Sequence, residues 1–147
     1  MRSDPYEGCN FVIEIEGLLV GGFSECSGLE VETELVDYRE GGVNDYIHRF
    51  AGGTRAPPLV LRHGITSGDG LWRWYQMTVA GKVVRRNGTI FLLDNAQVAA
   101  IQWDFREGFP YKWTGPELRA EPASIAFESV ELVHRGLRQS PGKRAER

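Results

Sequence analysis

The chain has 147 residues, a formal net charge of −3, 41% hydrophobic residues and 25% charged residues, which is the size and composition of one globular domain. Its longest run of large apolar side chains covers only residues 90–93, far short of the roughly 20 residues that cross a bilayer, so we expect no membrane-spanning helix. The first ten residues lack the apolar stretch of a secretion signal, and we therefore expect synthesis in the cytoplasm.

Charge is distributed unevenly along the chain. Residues 135–147 carry five basic side chains and one acidic side chain, so the rest of the chain is more acidic than the net charge shows. An acidic body argues against sequence-specific nucleic-acid binding, because phosphate contacts need a basic surface. Pro141, Gly142 and the absence of apolar periodicity predict a basic, flexible tail at 138–147 after a single domain at 1–137.

The first part of the chain has the alternation of β-strands. Residues 11–16 and 29–39 alternate apolar and polar side chains, which predicts two strands with one buried face each. The apolar phase of the second strand shifts near Val36, which predicts a β-bulge and a curved strand. Residues 40–58 form a long connection rich in glycine and proline, with at most a brief strand at 46–50. Such long connections are usually functional loops or interaction arms.

The middle of the chain holds one predicted helix. After a short strand at 59–62, apolar side chains recur at helical spacing, which predicts an amphipathic helix at about 69–80. Asn-Gly at 87–88 is typical of a type I′ turn and predicts a hairpin between strands at 83–86 and 89–94.

The last third of the chain returns to strands. We expect a strand at 98–106, an irregular segment at 110–117 and a long strand at 124–134, where a second phase change predicts another bulge. Long bulged strands with one helix predict a mainly β fold, in which two packed antiparallel sheets form a barrel-like arrangement.

The sequence shows no catalytic or metal-binding constellation. The three histidines, His48, His63 and His134, lack zinc-site spacing, and we expect them to have surface roles or satisfied roles at an interface. Cys9 and Cys26 match neither a CxxC motif nor a disulfide framework, which predicts two buried free thiols. We therefore expect no enzyme, no catalytic residue, no bound metal and no cofactor.

Seven motifs follow one another in a specific order, although each alone is weak. They are DPY at 4–6, GGFSECSGLE at 21–30, YREGGVND at 38–45, LWRWY at 71–75, Trp103, PYKWTGP at 110–116 and ESVELVHRGL at 128–137. In this order they resemble the tail tube proteins of contractile phages and of related contractile injection systems, including the inner tube proteins of extracellular injection systems. The chain departs from this family around residues 50–59, where Ala51 and Ala56 stand in place of a proline and an aromatic residue.

The resemblance implies a barrel-like fold with one helix that assembles into six-membered rings, whose sheets join into a continuous inner barrel. The rings would stack into a hollow tube inside a contractile sheath. The implied partners are further copies of the chain, the sheath protein, baseplate or hub proteins and a tube terminator, with no direct membrane anchor. The cargo in the lumen would be a protein effector or DNA. The assembled phage tail or injection particle would be cytoplasmic or released from the cell.

Two groups of residues are candidate sites. The glycine-rich segment at 38–45 offers directional hydrogen-bonding groups to neighbouring subunits, with a simple turn as the alternative. Its candidate contact residues are Tyr38, Arg39, Glu40, Asn44 and Asp45. Three carboxylates, Glu30, Glu32 and Glu34, share one predicted strand face. Like charges in such a row favour a solvated position, and we expect the row to face the lumen of the tube.

A second class of function fits the same pattern of strands. A small β-barrel that binds a ligand or a flavin would account for the richness in aromatic residues. The aromatic side chains that support this alternative are Trp72, Trp74, Trp103 and Trp113.

Overall fold

A computed structural model of the chain describes residues 4–18, 22–38, 41, 47–121 and 124–142. These residues form nine strands, with one helix between the fifth and sixth strands. The elements are β1 (Phe11–Ile15), β2 (Phe23–Ser27), β3 (Glu32–Tyr38), β4 (His48–Arg55), β5 (Leu59–Gly64), α1 (Gly70–Val79), β6 (Arg86–Leu93), β7 (Ala99–Thr114), β8 (Phe127–Val133) and β9 (Gly136–Pro141). The predicted mainly β class with one helix is confirmed.

Strand β7 is shared by two antiparallel sheets. Its first half pairs with β6 and β9, and β6 pairs in turn with β1. Its second half pairs with β8, which pairs with β5, which pairs with β2. Between the two halves Glu107 has φ of 52°, in the left-handed region that lets a strand bend. The predicted antiparallel sheets are confirmed, and a strand of 16 residues links them.

The core lies between the two sheets and α1. Alternation along each strand sends every second side chain inward, and α1 adds Leu71 and Trp74, which are one turn apart. The Trp74 Nε1 donates to the backbone oxygen of Val84 at 2.7 Å, which satisfies the indole inside the apolar core. The buried apolar side chains are Ile13, Ile15, Leu59, Leu61, Leu71, Trp74, Ile90, Phe105, Val130 and Leu132.

The helix agrees with its prediction to within one residue at each end. Asp69 precedes it and forms an ion pair with Arg73 at 2.9 Å. Ala80 ends it, and Gly81 follows with φ of 84°. A glycine takes this left-handed conformation without a steric cost, which makes it a common helix terminator.

The predicted type I′ turn at 87–88 is wrong, because both residues lie within β6. Gly88 is opposite Phe105, and a Cβ at Gly88 would collide with the Phe105 ring. The glycine therefore permits a close approach inside the sheet rather than a chain reversal. The side-chain oxygen of Asn87 accepts the backbone N–H of Glu107 at 3.0 Å, and so stabilises the bend of β7.

Several strand boundaries also differ from the predictions. The brief strand expected at 46–50 is the eight-residue β4, and β2 was not predicted. The segment expected to be irregular at 110–117 continues β7 as far as Thr114. The bulge expected in the last long strand lies in its partner β7, between Pro110 and Lys112.

The predicted flexible tail also needs correction. Strand β9 covers residues 136–141 and pairs with β7, so a boundary at residue 137 falls within a paired strand. The backbone N–H of Gly142 continues the pairing by donating to the oxygen of Ala100 at 3.0 Å. Residues 143–147 lie outside the described residues.

Candidate functional site: an exposed hairpin

Strands β3 and β4 form a two-stranded antiparallel sheet of their own, which we call the arm. The chain enters the arm from β2 and leaves it into β5, and these two strands pair with each other, so the arm continues that pair. Every residue of β3 is exposed, and in β4 only His48 is half-buried. The bulge predicted near Val36 of β3 lies instead in its partner β4, where the three steps from Thr54 to Ala51 oppose the two steps from Thr33 to Leu35.

One side of the arm carries a cluster of large apolar and aromatic side chains. Val36 is opposite Phe50, and Tyr38 is opposite His48. The ring of Phe50 lies 6.4 Å from that of Tyr38 and 6.3 Å from that of His48, between ring centroids. Val36, Tyr38 and Phe50 are about half exposed, at 48–54%. We call Val36, Tyr38, His48 and Phe50 the aromatic face of the arm.

The interactions within the arm contribute little to its stability. Its ion pairs, Glu32 with Arg55 at 3.5 Å and Asp37 with Arg49 at 3.4 Å, are solvent-exposed, and such pairs contribute roughly 0–1 kcal/mol. A two-stranded hairpin is marginally stable in water at best, and an exposed apolar patch marks an interaction surface. The arm is therefore a surface that another molecule is expected to cover.

Of the predicted contact residues, the structure describes Tyr38, which lies on the aromatic face. Arg39, Glu40, Asn44 and Asp45 lie outside the described residues. Of the predicted lumen row, Glu30 precedes β3, while Glu32 and Glu34 are exposed on it. Alternation places Glu32 and Glu34 on the same side of β3 as Val36 and Tyr38. Their orientation toward a lumen stays a prediction.

The sequence analysis missed a buried polar cluster that joins three strands. His63 on β5 lies with its Nδ1 3.2 Å from Oε1 of Glu128 on β8, and both side chains are at most 7% exposed. The Nε1 of Trp113 on β7 donates to Oε2 of Glu128 at 3.0 Å. One signal was available in the sequence, because His63 has the same strand phase as the buried Leu59 and Leu61. The cluster links β5, β8 and β7 through the carboxylate of Glu128, which also lines the cleft described next.

An open cleft of about 810 Å³ lies beside Glu128, between the outer side of β5 and β8 and the connection after β7. Its cations already have carboxylate partners, since Arg62 pairs with Glu25 at 3.6 Å and Arg119 pairs with Glu117 at 2.6 Å. The guanidinium of Arg62 also lies 4.3 Å from the centre of the Phe127 ring. The cleft therefore offers paired charges rather than a free charge for a ligand.

The tryptophans that motivated the ligand-binding alternative serve in packing. Trp74 is buried in the core, and Trp113 bonds to Glu128. Trp72 meets Trp113 edge to face with 4.6 Å between ring centroids. Trp103 donates from Nε1 to the side chain of Gln139 at 3.0 Å. Within the described residues, each of these four tryptophans therefore has a packing or hydrogen-bonding contact of its own.

The two cysteines differ from each other. Burial raises the pKa of Cys26 to about 11, so its thiol stays protonated at neutral pH. Cys9 is free and exposed, which corrects the prediction that both thiols are buried.

The described residues include no group of three or more His, Cys, Asp or Glu placed to hold a metal ion. In the same part of the chain, no helix has the length and apolar character needed to cross a membrane.

A protein-family model matches most of the chain. The family is described as T4-like virus tail tube protein gp19, and the match covers residues 7–138. Among curated proteins, none matches the sequence.

Solved structures share the fold at low sequence identity. A tube chain from the sheath-tube complex of PVC, an extracellular contractile injection system in the extended state, aligns with a TM-score of 0.84 and 22% identity over 93% of this chain and 92% of that one. A chain of the anti-feeding prophage baseplate aligns with a TM-score of 0.85 and 21% identity over 95% of this chain and 98% of that one. Hcp1 from Flavobacterium johnsoniae aligns with a TM-score of 0.57 and 12% identity over 90% of this chain and 96% of that one.

Proposed function

The chain belongs to the family of T4-like virus tail tube proteins, and from this membership we propose that it is a structural subunit of the inner tube of a contractile injection system or phage tail. Its copies form hexameric rings, and the rings stack into a hollow tube. The observation that carries this proposal is the family match over residues 7–138, which runs from before β1 into β9. The family consists of tube proteins, and we assign the chain no catalytic role.

The exposed arm supports assembly from copies of one chain. A ring requires a head-to-tail interface, in which one surface of each copy meets a different surface of the next. The arm supplies a projecting apolar surface that the rest of its own chain leaves half exposed. We propose that Tyr38, together with Arg39, Glu40, Asn44 and Asp45, contacts neighbouring subunits.

The proposed partners follow from the structures that share the fold. Those structures are a sheath-tube complex, a baseplate and a tube-terminating cap. By analogy, this chain contacts a sheath protein, a baseplate or hub protein and a terminator. Contraction of the sheath drives the tube through a target envelope, with a protein effector or DNA as the cargo. The tube becomes part of a phage tail or of an extracellular particle.

Electron microscopy tests the assembly proposal directly. The purified chain is imaged at low and high concentration, alone and together with baseplate proteins of a contractile injection system. We expect six-fold rings or stacked tubes, with the baseplate lowering the concentration at which they form. A chain that stays monomeric under all of these conditions would falsify the proposal.

We further propose that Glu30, Glu32 and Glu34 face the lumen. A wall of like charge to an acidic cargo disfavours adhesion during passage. Changing all three residues to lysine should therefore slow cargo delivery while rings still form, as measured by delivery assays and by microscopy on the same particles. The control is the triple change to glutamine, which removes the charge without reversing it. Loss of ring formation in both variants would place the row at a subunit contact instead.

A further inference from the structure

His134 follows β8 directly and lies where three parts of the chain meet. The centre of its ring is 6.3 Å from that of the buried Phe105 of β7. The His134 ring also lies near the backbone of Gly136, which begins β9, and of Pro57, which lies between β4 and β5. His134 therefore connects the core to the point at which the chain leaves the arm.

The base of the arm is the place where the exposed hairpin joins the packed part of the fold. Residues 49–55 are exposed, whereas residues 56–58 are half-buried. The chain that enters the arm packs against the same segment, because Gly28 has φ of 93° and a Cβ there would collide with the backbone oxygen of Pro58. We call Gly28 and residues 56–58 the junction. Since proline fixes φ, the two consecutive prolines make the junction a stiff connection between His134 and the arm.

The two ring nitrogens of His134 are buried without a hydrogen-bond partner in the described part of the chain. A neutral imidazole carries one N–H and an imidazolium carries two, so protonation adds a buried donor and a charge at a place that water does not reach. A buried charge without a partner is costly, and burial accordingly lowers the pKa of His134. The backbone of Gly136 and Pro57 favours the charged form, but less strongly than burial opposes it.

Among the described residues, the charged side chains of the surrounding elements leave no free carboxylate for an imidazolium at position 134. Arg106 of β7 lies over Gly136, where a Cβ would be 3.4 Å from its guanidinium, and Arg138 is the charged residue of β9. On the arm side, Arg55 pairs with Glu32 at 3.5 Å. The carboxylates of β7 and β8 each have a partner already, namely Asp104 with Thr89, Glu107 with Arg135, Glu128 with His63 and Glu131 with Lys112.

We propose that His134 makes the arm sensitive to pH, because the neutral ring holds the junction against β7 and a protonated ring releases it. Opening of the junction lets water reach the ring nitrogens, so the open form takes up a proton that the closed form resists. The closed form is therefore fully favoured above the ordinary histidine range and loses stability as pH falls through that range. This inference concerns the single chain and goes beyond the proposed function, which does not depend on it.

Amide hydrogen exchange at pH 7.5 and pH 5.5, followed by mass spectrometry, tests this coupling. The dilute chain is used before rings or tubes form, and each rate is corrected for the intrinsic exchange rate at that pH. We expect the opening of residues 28–38 and 48–56 to rise several-fold at pH 5.5, and at most about tenfold for an open form with a histidine pKa of about 6.5. His134→Phe and His134→Gln, which differ in polarity, should each remove the rise. The matched control is His48→Gln, which removes the histidine of the arm itself and should keep the rise.

The amides of β5 and β8 serve as an internal reference, because global unfolding exposes His134 whatever the arm does. An arm that keeps its protection at pH 5.5 while β5 and β8 lose theirs opens without exposing His134, and this result overturns the inference. A rise that persists in the His134 variants, or that disappears in His48→Gln instead, overturns it as well. Unchanged protection of the whole chain between the two pH values has the same meaning. Tube formation is scored separately by microscopy of the unmodified chain, so none of these results decides the proposed function.

Discussion

Glu128 is the residue through which three strands share one polar interaction in an otherwise apolar core. It pairs with His63 of β5 and accepts from Trp113 of β7, while its own strand β8 lies between those two. A buried polar group that finds all its partners specifies one arrangement of its neighbours, because each alternative leaves a donor or acceptor without a bond. The cluster therefore sets strand register more than it adds stability.

Removing Glu128 should be costly for that reason. Glu128→Ala leaves His63 Nδ1 and Trp113 Nε1 without their acceptor, and we expect the free energy of unfolding to fall by about 3 kcal/mol. Chemical denaturation measures the change. The control is Glu131→Ala on the same strand, which breaks exposed contacts with Lys112 at 3.3 Å and with the Tyr111 hydroxyl at 3.1 Å and should cost about 1 kcal/mol. Equal losses in the two variants would contradict a special role for the buried cluster.

His134 should make stability depend on pH. Burial lowers the pKa of His134, and the nearby backbone of Gly136 and Pro57 acts more weakly in the opposite direction. The unfolded chain therefore takes up the proton at a higher pH than the folded chain does, so stability declines as pH falls below the ordinary histidine range. His134→Gln should decline less between pH 8 and pH 5 in denaturation experiments. The two proteins are compared relative to pH 8, where residue 134 is neutral in both, and parallel curves would rule out this origin.

At the scale of elements, the close contact between β6 and β7 depends on Gly88. Gly88→Ala places a methyl group against the Phe105 ring and near the backbone oxygen of Glu14. Overpacking of this kind typically costs about 1–3 kcal/mol, and we expect a loss in that range from thermal or chemical unfolding. Gly8→Ala is the control, because nothing lies within 4 Å of the added methyl group. A neutral Gly88→Ala would mean that the Phe105 ring can move aside.

The elements that the sequence predicted well are those whose pattern is local. The alternation at 11–16 and the helical spacing at 69–80 are found as β1 and α1. The misplaced elements depend on distant partners. Asn-Gly at 87–88 has a strong local preference for a turn, yet pairing with β1 and β7 on both sides keeps it extended. The second half of β7 contains Pro110 and still pairs with β8, with a bulge next to the proline.

The candidate site also combines features that a local sequence pattern predicts with features that depend on pairing between distant residues. The glycine-rich connection at 40–58 was predicted as an interaction segment from its composition, and β4 lies within it. The prediction that the strand at 29–39 has one buried face is wrong, because β3 is exposed throughout and pairs with β4 to form the aromatic face. Val36 and Phe50 are 14 positions apart and meet only because of the register of β3 and β4. The pairing of His63 with Glu128 is more remote still, at a separation of 65 residues. No local pattern in one sequence could join those two residues.

At the scale of the whole molecule, the arm separates folding from assembly. The core lies between the two sheets and α1 and includes no residue of β3 or β4, so the chain can fold without the arm being covered. Apolar surface on the arm is then a cost to the free subunit, which is recovered when another copy buries it.

Polar changes on the arm should therefore block assembly and leave the fold intact. We expect Val36→Ser with Phe50→Ser to change the free energy of unfolding by no more than about 0.5 kcal/mol, as is usual for exposed positions, and to abolish tubes in electron micrographs. The matched control is Leu118→Ser with Ile125→Ser, because these side chains are even more exposed, at 81% and 72%, but lie outside the arm. If the arm variant forms tubes as readily as this control, the apolar surface of the arm does not drive assembly.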